Sequence, residues 1–160
     1  LYAYNFSGYW KDVGTINSLW EANMDLLDED SGLYLDDENH KIYARNSAEP
    51  PHYTGADARI SNSLVTEGCE IDGEIVHSVI STGAEVFKGA KISHSIIMPG
   101  AKVHAGAKVS YAIVGDGADI GENAVVGAEQ EGAEHYAISV VAPFYKVDKG
   151  AAVEAGAMVE

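Results

Sequence analysis

Basic residues are scarce in this 160-residue sequence: ten Lys and Arg stand against 25 Asp and Glu, a net charge of −15. That balance excludes any general electrostatic footprint for nucleic acid or for an anionic membrane. Arginine is scarcest, with only Arg45 and Arg59, so the chain is poorly equipped to clamp a polyphosphate through bidentate contacts. The single cysteine, Cys69, excludes an internal disulfide and fits a reduced, cytoplasmic setting. No long apolar run, basic leader or cleavage site occurs, so neither a membrane span nor a signal peptide is expected. Because it starts at Leu1 rather than Met, the chain reads as a soluble piece of a longer protein. Its hydrophobic content of 46% is enough for a core, so disorder is not the default.

What is abundant is repetition. VHSVISTGAEVFKGAKI (76–92), SHSIIMPGAKVHAGAKV (93–109) and SYAIVGDGADIGENAVV (110–126) superimpose without a gap, giving a unit of 17 residues. Large aliphatics recur at Ile80, Val86 and Ile92, at Ile97, Val103 and Val109, and at Val114, Ile120 and Val126, in steps of five, six and six. A small residue precedes each by two positions, as Ser78, Ala84 and Ala90 do in the first unit. This predicts three short strands per coil, each sending one large and one small side chain inward, with Gly83, Gly100 and Gly117 at corners. Coils stacked at the interstrand distance of about 4.8 Å make walls of parallel sheet. The fold class is thus mainly β, a triangular β-solenoid.

The stretch 61–75 is the same unit shortened by two residues, with Val65, Ile71 and Ile75 inward and Cys69 at a small inward place. Cys69 is therefore read as packing rather than as a nucleophile. After Gly127 the pattern gives way to a polar excursion near 127–140, then resumes with Val141, Val147, Val153 and Val159. About five or six coils are expected over 56–160, enough for a solenoid to hold together. One outward row is apolar: Leu64, Val79, Ile96 and Ile113. Such a stripe marks an interface, to be covered by a neighbouring domain, by the early helix of this chain or by another subunit.

Ahead of the solenoid, residues 1–15 read as one or two strands, followed by a helix from about Ile16 to Leu27. Thr15 or Ser18 could cap it, with Glu21 completing a capping box after Ser18. Leu19, Trp20, Asn23, Met24 and Leu27 share one face, which reads as a docking stripe. Residues 28–55, acidic and broken by Pro50-Pro51, read as a linker. Domain organisation is then a short element over 1–27, the linker, and the solenoid.

Taken together, GYWKDVGTI, SLWEANMDLL, the Pro-Pro linker, NSLVTEGCEI and SIIMPGAKV resemble the C-terminal part of the bacterial ADP-glucose pyrophosphorylase (glucose-1-phosphate adenylyltransferase) family. The likeness covers roughly residues 1–126. It implies that 1–27 are the C-terminal remnant of a nucleotidyltransferase domain and that the hexapeptide-repeat solenoid is a left-handed parallel β-helix. That hand runs against the usual right-handed crossover. The family's reaction joins ATP and glucose 1-phosphate into ADP-glucose and pyrophosphate for glycogen synthesis. The resemblance makes Asp12 a ligand of the catalytic Mg²⁺, with Trp10 and Lys11 beside it near the sugar phosphate. Mg²⁺ sites commonly use one or two carboxylates plus substrate phosphates; the plain alternative for Asp12 is a turn aspartate bonded to its own backbone. For the solenoid the resemblance implies assembly into a homo- or heterotetramer and response to metabolite effectors, although no arginine follows Arg59 to hold an anionic one. The chain alone would lack transferase activity.

Other readings stay open. A hexapeptide-repeat acyltransferase would use a histidine as base beside coenzyme A, with His104 or the stacked pair His77 and His94 as candidates, although their sequence neighbours offer no clear orienting carboxylate. His77 and His94 could also start a metal site, but two imidazoles seldom suffice. A non-catalytic regulatory homologue is the third reading, and the intact KDVGT argues against it.

Overall fold

A coil of constant length stacks in register only if every strand lies directly over its counterpart one unit earlier. The computed structural model, which describes all residues except 36, 44–47, 131, 133 and 134, has this arrangement; Arg45 lies outside the described residues. Three six-stranded sheets, all parallel, form the walls of a solenoid of about six coils. The first sheet stacks Tyr53–Thr54, Glu70–Ile71, Glu85–Val86, Lys102–Val103, Asp119–Ile120 and Lys146–Val147. The second stacks Arg59–Ser61, Glu74–Val76, Lys91–Ser93, Lys108–Ser110, Val125–Gly127 and Ala152–Val153. The third stacks Leu64–Val65, Val79–Ile80, Ile96–Ile97, Ala112–Val114, Ser139–Val141 and Met158–Val159. The opening strand of the solenoid, Tyr53–Thr54 of the first sheet, already pairs with Glu70–Ile71 from within the stretch that reads as linker.

The inward rows are those of the repeat. Ile80, Val86, Ile92, Ile97, Val103, Val109, Val114, Ile120 and Val126 fill one continuous buried core, together with the small Ala84, Ala90, Ala101, Ala107, Ala118 and Ala124. Cys69 belongs to this core, its thiol 3.2 Å from the Ser81 carbonyl oxygen. Small residues beside large ones let three walls close without voids.

The corner between the second and third sheets turns through left-handed backbone at Asn62, His77, His94 and Tyr111, with φ of 41°, 46°, 47° and 50°. The residue after each corner restores what the turn interrupts. Ser78 Oγ donates to the Val76 carbonyl at 2.8 Å and accepts the Ser95 N–H at 3.1 Å. Ser95 Oγ repeats this with the Ser93 carbonyl at 2.7 Å and the Ala112 N–H at 3.1 Å. Fully buried hydroxyls are thereby satisfied, and they carry the hydrogen-bond ladder around the bend.

Helix α1 spans Ile16–Met24 and passes into a 3₁₀ turn at Asp25–Leu27. Thr15 is its N-cap, and Ser18, not Glu21, completes the reciprocal box: Thr15 Oγ1 accepts the Ser18 N–H at 3.1 Å and Ser18 Oγ accepts the Thr15 N–H at 3.0 Å. Ser18 thus takes the third helical position, and Glu21 is left free to meet Lys11. Trp20 and Met24 are buried in a second cluster with Val79, Ile96, Tyr111, Ile113 and Ile138. The apolar row on the third sheet is therefore covered by α1, except Leu64, which is 42% exposed beyond the end of the helix. Leu19, expected on the docking face, points away and is exposed.

No strand forms before Tyr53 among the described residues, which corrects the strands expected over 1–15. Extended chain becomes a strand only with a ladder partner, and the bonds that hold this segment are side-chain bonds from Tyr9 and Lys11.

Truncation should separate the two apolar environments on the third sheet, at coils one strand apart. Ile97→Ala is expected to cost about 2–5 kcal/mol in urea unfolding, the range for deleting a fully buried aliphatic, while Leu64→Ala costs under about 1 kcal/mol. Equal losses would contradict the assignment of inward and outward rows.

Candidate functional site

The polar turn at residues 8–12 is held to α1 through one carboxylate. Asp25 Oδ2 accepts the Tyr9 hydroxyl at 2.8 Å and the Lys11 ammonium at 2.8 Å, and Glu21 approaches Lys11 at 3.3 Å. Burial opposes the charge on Asp25, but hydrogen bonds from Lys11 and Tyr9 and the Lys11 charge outweigh it and hold its carboxyl below the usual value. For Lys11, burial likewise opposes the charge, and the bonds to Asp25 and Glu21 raise its pKa. Nothing in sequence spacing singles out Asp25, because its partners arrive from the preceding turn.

The three residues singled out in this segment have different surroundings. Trp10 is 77% exposed, Lys11 is engaged by Asp25 and Glu21, and Asp12 is exposed. Asp12 Oδ1 accepts the Gly14 N–H at 3.0 Å, an Asx turn that aims the entry into the helix cap. Its other oxygen has no hydrogen bond among the described residues, so one carboxylate oxygen is available to a hard cation. Among the described residues no group of three or more His, Cys, Asp or Glu could hold a metal ion. Asp12 could therefore offer one oxygen to an ion such as Mg²⁺, which keeps several waters and takes further oxygens from phosphates.

The corner residues of the solenoid form an aromatic pillar that spacing reveals only in part. The His77 and His94 rings lie 5.0 Å apart at a tilt of 46°, and His94 stacks on Tyr111 at 4.6 Å, which stacks in turn on Tyr136 at 4.9 Å. Trp20 of α1 lies 5.8 Å from Tyr111 and 5.2 Å from Tyr136, and its indole N–H donates to the His94 carbonyl at 2.7 Å. Asn62 meets His77 Nδ1 at 2.9 Å. Burial, and next the neighbouring His94, push the His77 pKa down, with Asp28 acting in the opposite direction. Tyr111 follows His94 by the repeat length, so the sequence carried a signal for it, whereas Tyr136 comes from the excursion and carried none.

His104 lies on another corner. It stacks on Phe87 at 4.7 Å and pairs with Asp119 at 2.8 Å. The structure thus brings a carboxylate from the next coil beside His104, although Asp119 Oδ1 makes no hydrogen bond that would orient the ring.

The excursion brings in Glu129, a residue that no repeat position or motif singles out. Its Oε1 accepts from Ser93 Oγ at 2.7 Å and Ser110 Oγ at 2.8 Å. Burial opposes its charge, but those two hydroxyls and the nearby His94 prevail and hold its pKa below the ordinary value.

Cutting the Asp25 clamp should loosen the turn while sparing the solenoid. In Asp25→Asn, backbone order parameters at Tyr9–Lys11 are expected to fall, with a stability loss of no more than about 1 kcal/mol for a half-exposed ion pair. Since the folded-state pKa of Asp25 is depressed, the clamp's contribution is present above the ordinary carboxylate range. It is lost as pH falls through the folded value, so wild type should show the same loosening only in acid. Unchanged order parameters in the variant would refute the clamp.

Comparison with known proteins divides along the same line as the structure. Residues 51–142 match the family "GlmU-like, C-terminal hexapeptide", and residues 1–29 match the family "Nucleotidyl transferase". The chain is similar to a glucose-1-phosphate adenylyltransferase of Clostridium kluyveri, 56% identical over 92 residues that cover 58% of this chain and 24% of the relative. A protein of the same name from Bacillus mycoides is 51% identical over 92 residues, with the same coverage of 58% and 24%. The chain thus spans about a quarter of the length of these relatives. With more than half of its residues in the hexapeptide match, and with those residues built as stacked coils of parallel sheet, the chain belongs to the GlmU-like, C-terminal hexapeptide family.

Proposed function

We propose that this chain is the assembly and regulatory part of a glucose-1-phosphate adenylyltransferase, a cytoplasmic nucleotidyltransferase that makes ADP-glucose and pyrophosphate from ATP and glucose 1-phosphate. The observation that carries the proposal is the order of the two family matches in one chain. The nucleotidyltransferase match ends within a few residues of α1, and α1 is packed onto the hexapeptide solenoid through Trp20 and Met24. A helix seated in this way fixes residues 8–12 relative to the coils, as a joint between a catalytic domain and an assembly domain requires.

In the reaction a phosphate oxygen of glucose 1-phosphate attacks the α-phosphorus of ATP, and pyrophosphate leaves. Asp12 would offer a carboxylate oxygen to a Mg²⁺ ion, with further oxygens coming from substrate phosphates and other protein ligands. Bound there, the ion supplies neutralisation of phosphate charge. Trp10, open on the turn, forms a wall near the sugar phosphate. Lys11 either positions the turn through Asp25 or releases it to reach the sugar phosphate. The 160-residue chain alone is inactive, and the solenoid serves a homo- or heterotetramer.

The test uses the longer polypeptide that contains this chain. It should release pyrophosphate from ATP and glucose 1-phosphate and sediment as a tetramer, and the 160-residue chain should do neither chemistry nor turnover. Asp12→Ala in the long form should lower kcat by roughly 100-fold or more, since several kcal/mol of charge stabilisation depend on the ion. Full activity of Asp12→Ala would remove the aspartate from the site, and absence of activity in the unmodified long form would remove the proposal.

A further inference from the structure

Residues 9–12 alternate in their surroundings. Tyr9 and Lys11 are half-buried, whereas Trp10 and Asp12 are exposed. Alternation with a period of two is the mark of chain whose successive side chains leave on opposite sides. The segment therefore has two faces, one formed by Tyr9 and Lys11 and the other by Trp10 and Asp12.

The first face is held by α1. Asp25 Oδ2 accepts both the Tyr9 hydroxyl and the Lys11 ammonium at 2.8 Å, and Glu21, one turn earlier on the same side of the helix, approaches the ammonium at 3.3 Å. Two side chains of one short segment thus converge on a single carboxylate oxygen. Asp25 is itself placed by the coils, because Met24 just before it and Leu27 just after it pack into the cluster with Val79, Ile96 and Ile113. It also caps the C-terminal end of α1, where the helix dipole opposes a carboxylate, so its counter-charge comes from Lys11 and not from the helix. The second face is fastened, among the described residues, only within its own turn, where Asp12 Oδ1 accepts the Gly14 N–H at 3.0 Å.

We propose that Asp25 is a positioning residue for the phosphate-transfer site, acting through Lys11 and Tyr9 to display Trp10 and Asp12 on one face toward the substrates, and that Lys11 belongs to this clamp instead of binding the sugar phosphate. The inference rests on the transferase reading, which places Asp12 toward Mg²⁺ and Trp10 near the sugar phosphate. Asp25 touches neither substrate nor ion. It removes freedom from the segment in advance, so that the Asp12 carboxylate does not have to be ordered when the substrates bind.

The longer polypeptide that contains this chain carries the test, as a double-mutant cycle of Lys11→Met and Asp25→Asn read by pyrophosphate release. Each single variant should lower kcat about tenfold or more, since displacing a catalytic group by about 1 Å costs up to about a hundredfold. Each should also raise the Mg²⁺ concentration needed for half-maximal rate, with KM for glucose 1-phosphate changed less than about twofold. The double variant should be no worse than either single one, because both remove the same contact. Lys11→Arg, which keeps a cation on Asp25, should retain most of the rate. A structural readout in the 160-residue chain accompanies the kinetics: the Gly14 amide, donor to Asp12, should exchange several-fold faster in Asp25→Asn while thermal unfolding shows the coils intact. A rise of about tenfold in KM for glucose 1-phosphate in Lys11→Met, absent from Asp25→Asn, would put Lys11 on the sugar phosphate and overturn the inference. Unchanged kcat and unchanged Gly14 exchange in Asp25→Asn, with turnover still lost in Asp12→Ala, would also overturn it and leave the transferase reading standing. Absence of turnover in the unmodified long form would remove both.

Discussion

Everything in this molecule depends on the parallel hydrogen-bond ladder between coils. Each strand donates to and accepts from strands of neighbouring coils, so a coil must place every residue over its counterpart one unit earlier. Val86 lies beside Val103, Ile92 beside Val109 and Ile97 beside Val114 because any other alignment would leave buried amides without carbonyls. The same constraint explains the serines at the second corner. Where backbone bonding is interrupted by the left-handed turn, a hydroxyl with fixed geometry continues it.

Register also decides what reaches the surface. Residues that repeat every coil become columns, and columns have collective properties that single residues lack. Val79, Ile96 and Ile113 become an apolar seat for α1; His77, His94 and Tyr111 become a column of rings in contact; Ser93 and Ser110 become a two-hydroxyl cradle. The interruption after Gly127 leaves this frame intact, since Ser139–Val141 resumes pairing with Ala112–Val114. It adds a loop from which two described side chains lie on columns already built. Tyr136 caps the pillar and Glu129 enters the cradle.

The coils were legible in the sequence because their physics is periodic: the large residue, the small residue two before it and the corner glycine are all set by local spacing. The apolar row was legible for the same reason, but its cover stayed open between a neighbouring domain, the early helix and another subunit, and the packing of Trp20 and Met24 selects the helix. What spacing could not reveal are pairings between segments of unrelated periodicity. Asp25 meets Lys11 and Tyr9 across the cap, Glu129 meets Ser93 from the excursion, and Asp119 meets His104 from another coil. The expected strands over 1–15 fail on the complementary ground, for apolar alternation in YAYNF has no ladder to join. Glu21 was misassigned as a cap partner because the pattern allowed two registers for the cap, and Thr15 with Ser18 satisfies both donors at once.

The central claim is that α1 is an integral layer on the third sheet, so that the polar turn before it is carried rigidly by the coils. Amide hydrogen exchange of the 160-residue chain tests this directly. The account predicts that the amides of Trp20 to Met24, bonded within α1 and seated on Ile96 and Ile113, are protected to within about tenfold of those in the coils beneath them. Exchange of these amides at the rate of an unstructured peptide, with the coils still protected, would contradict it.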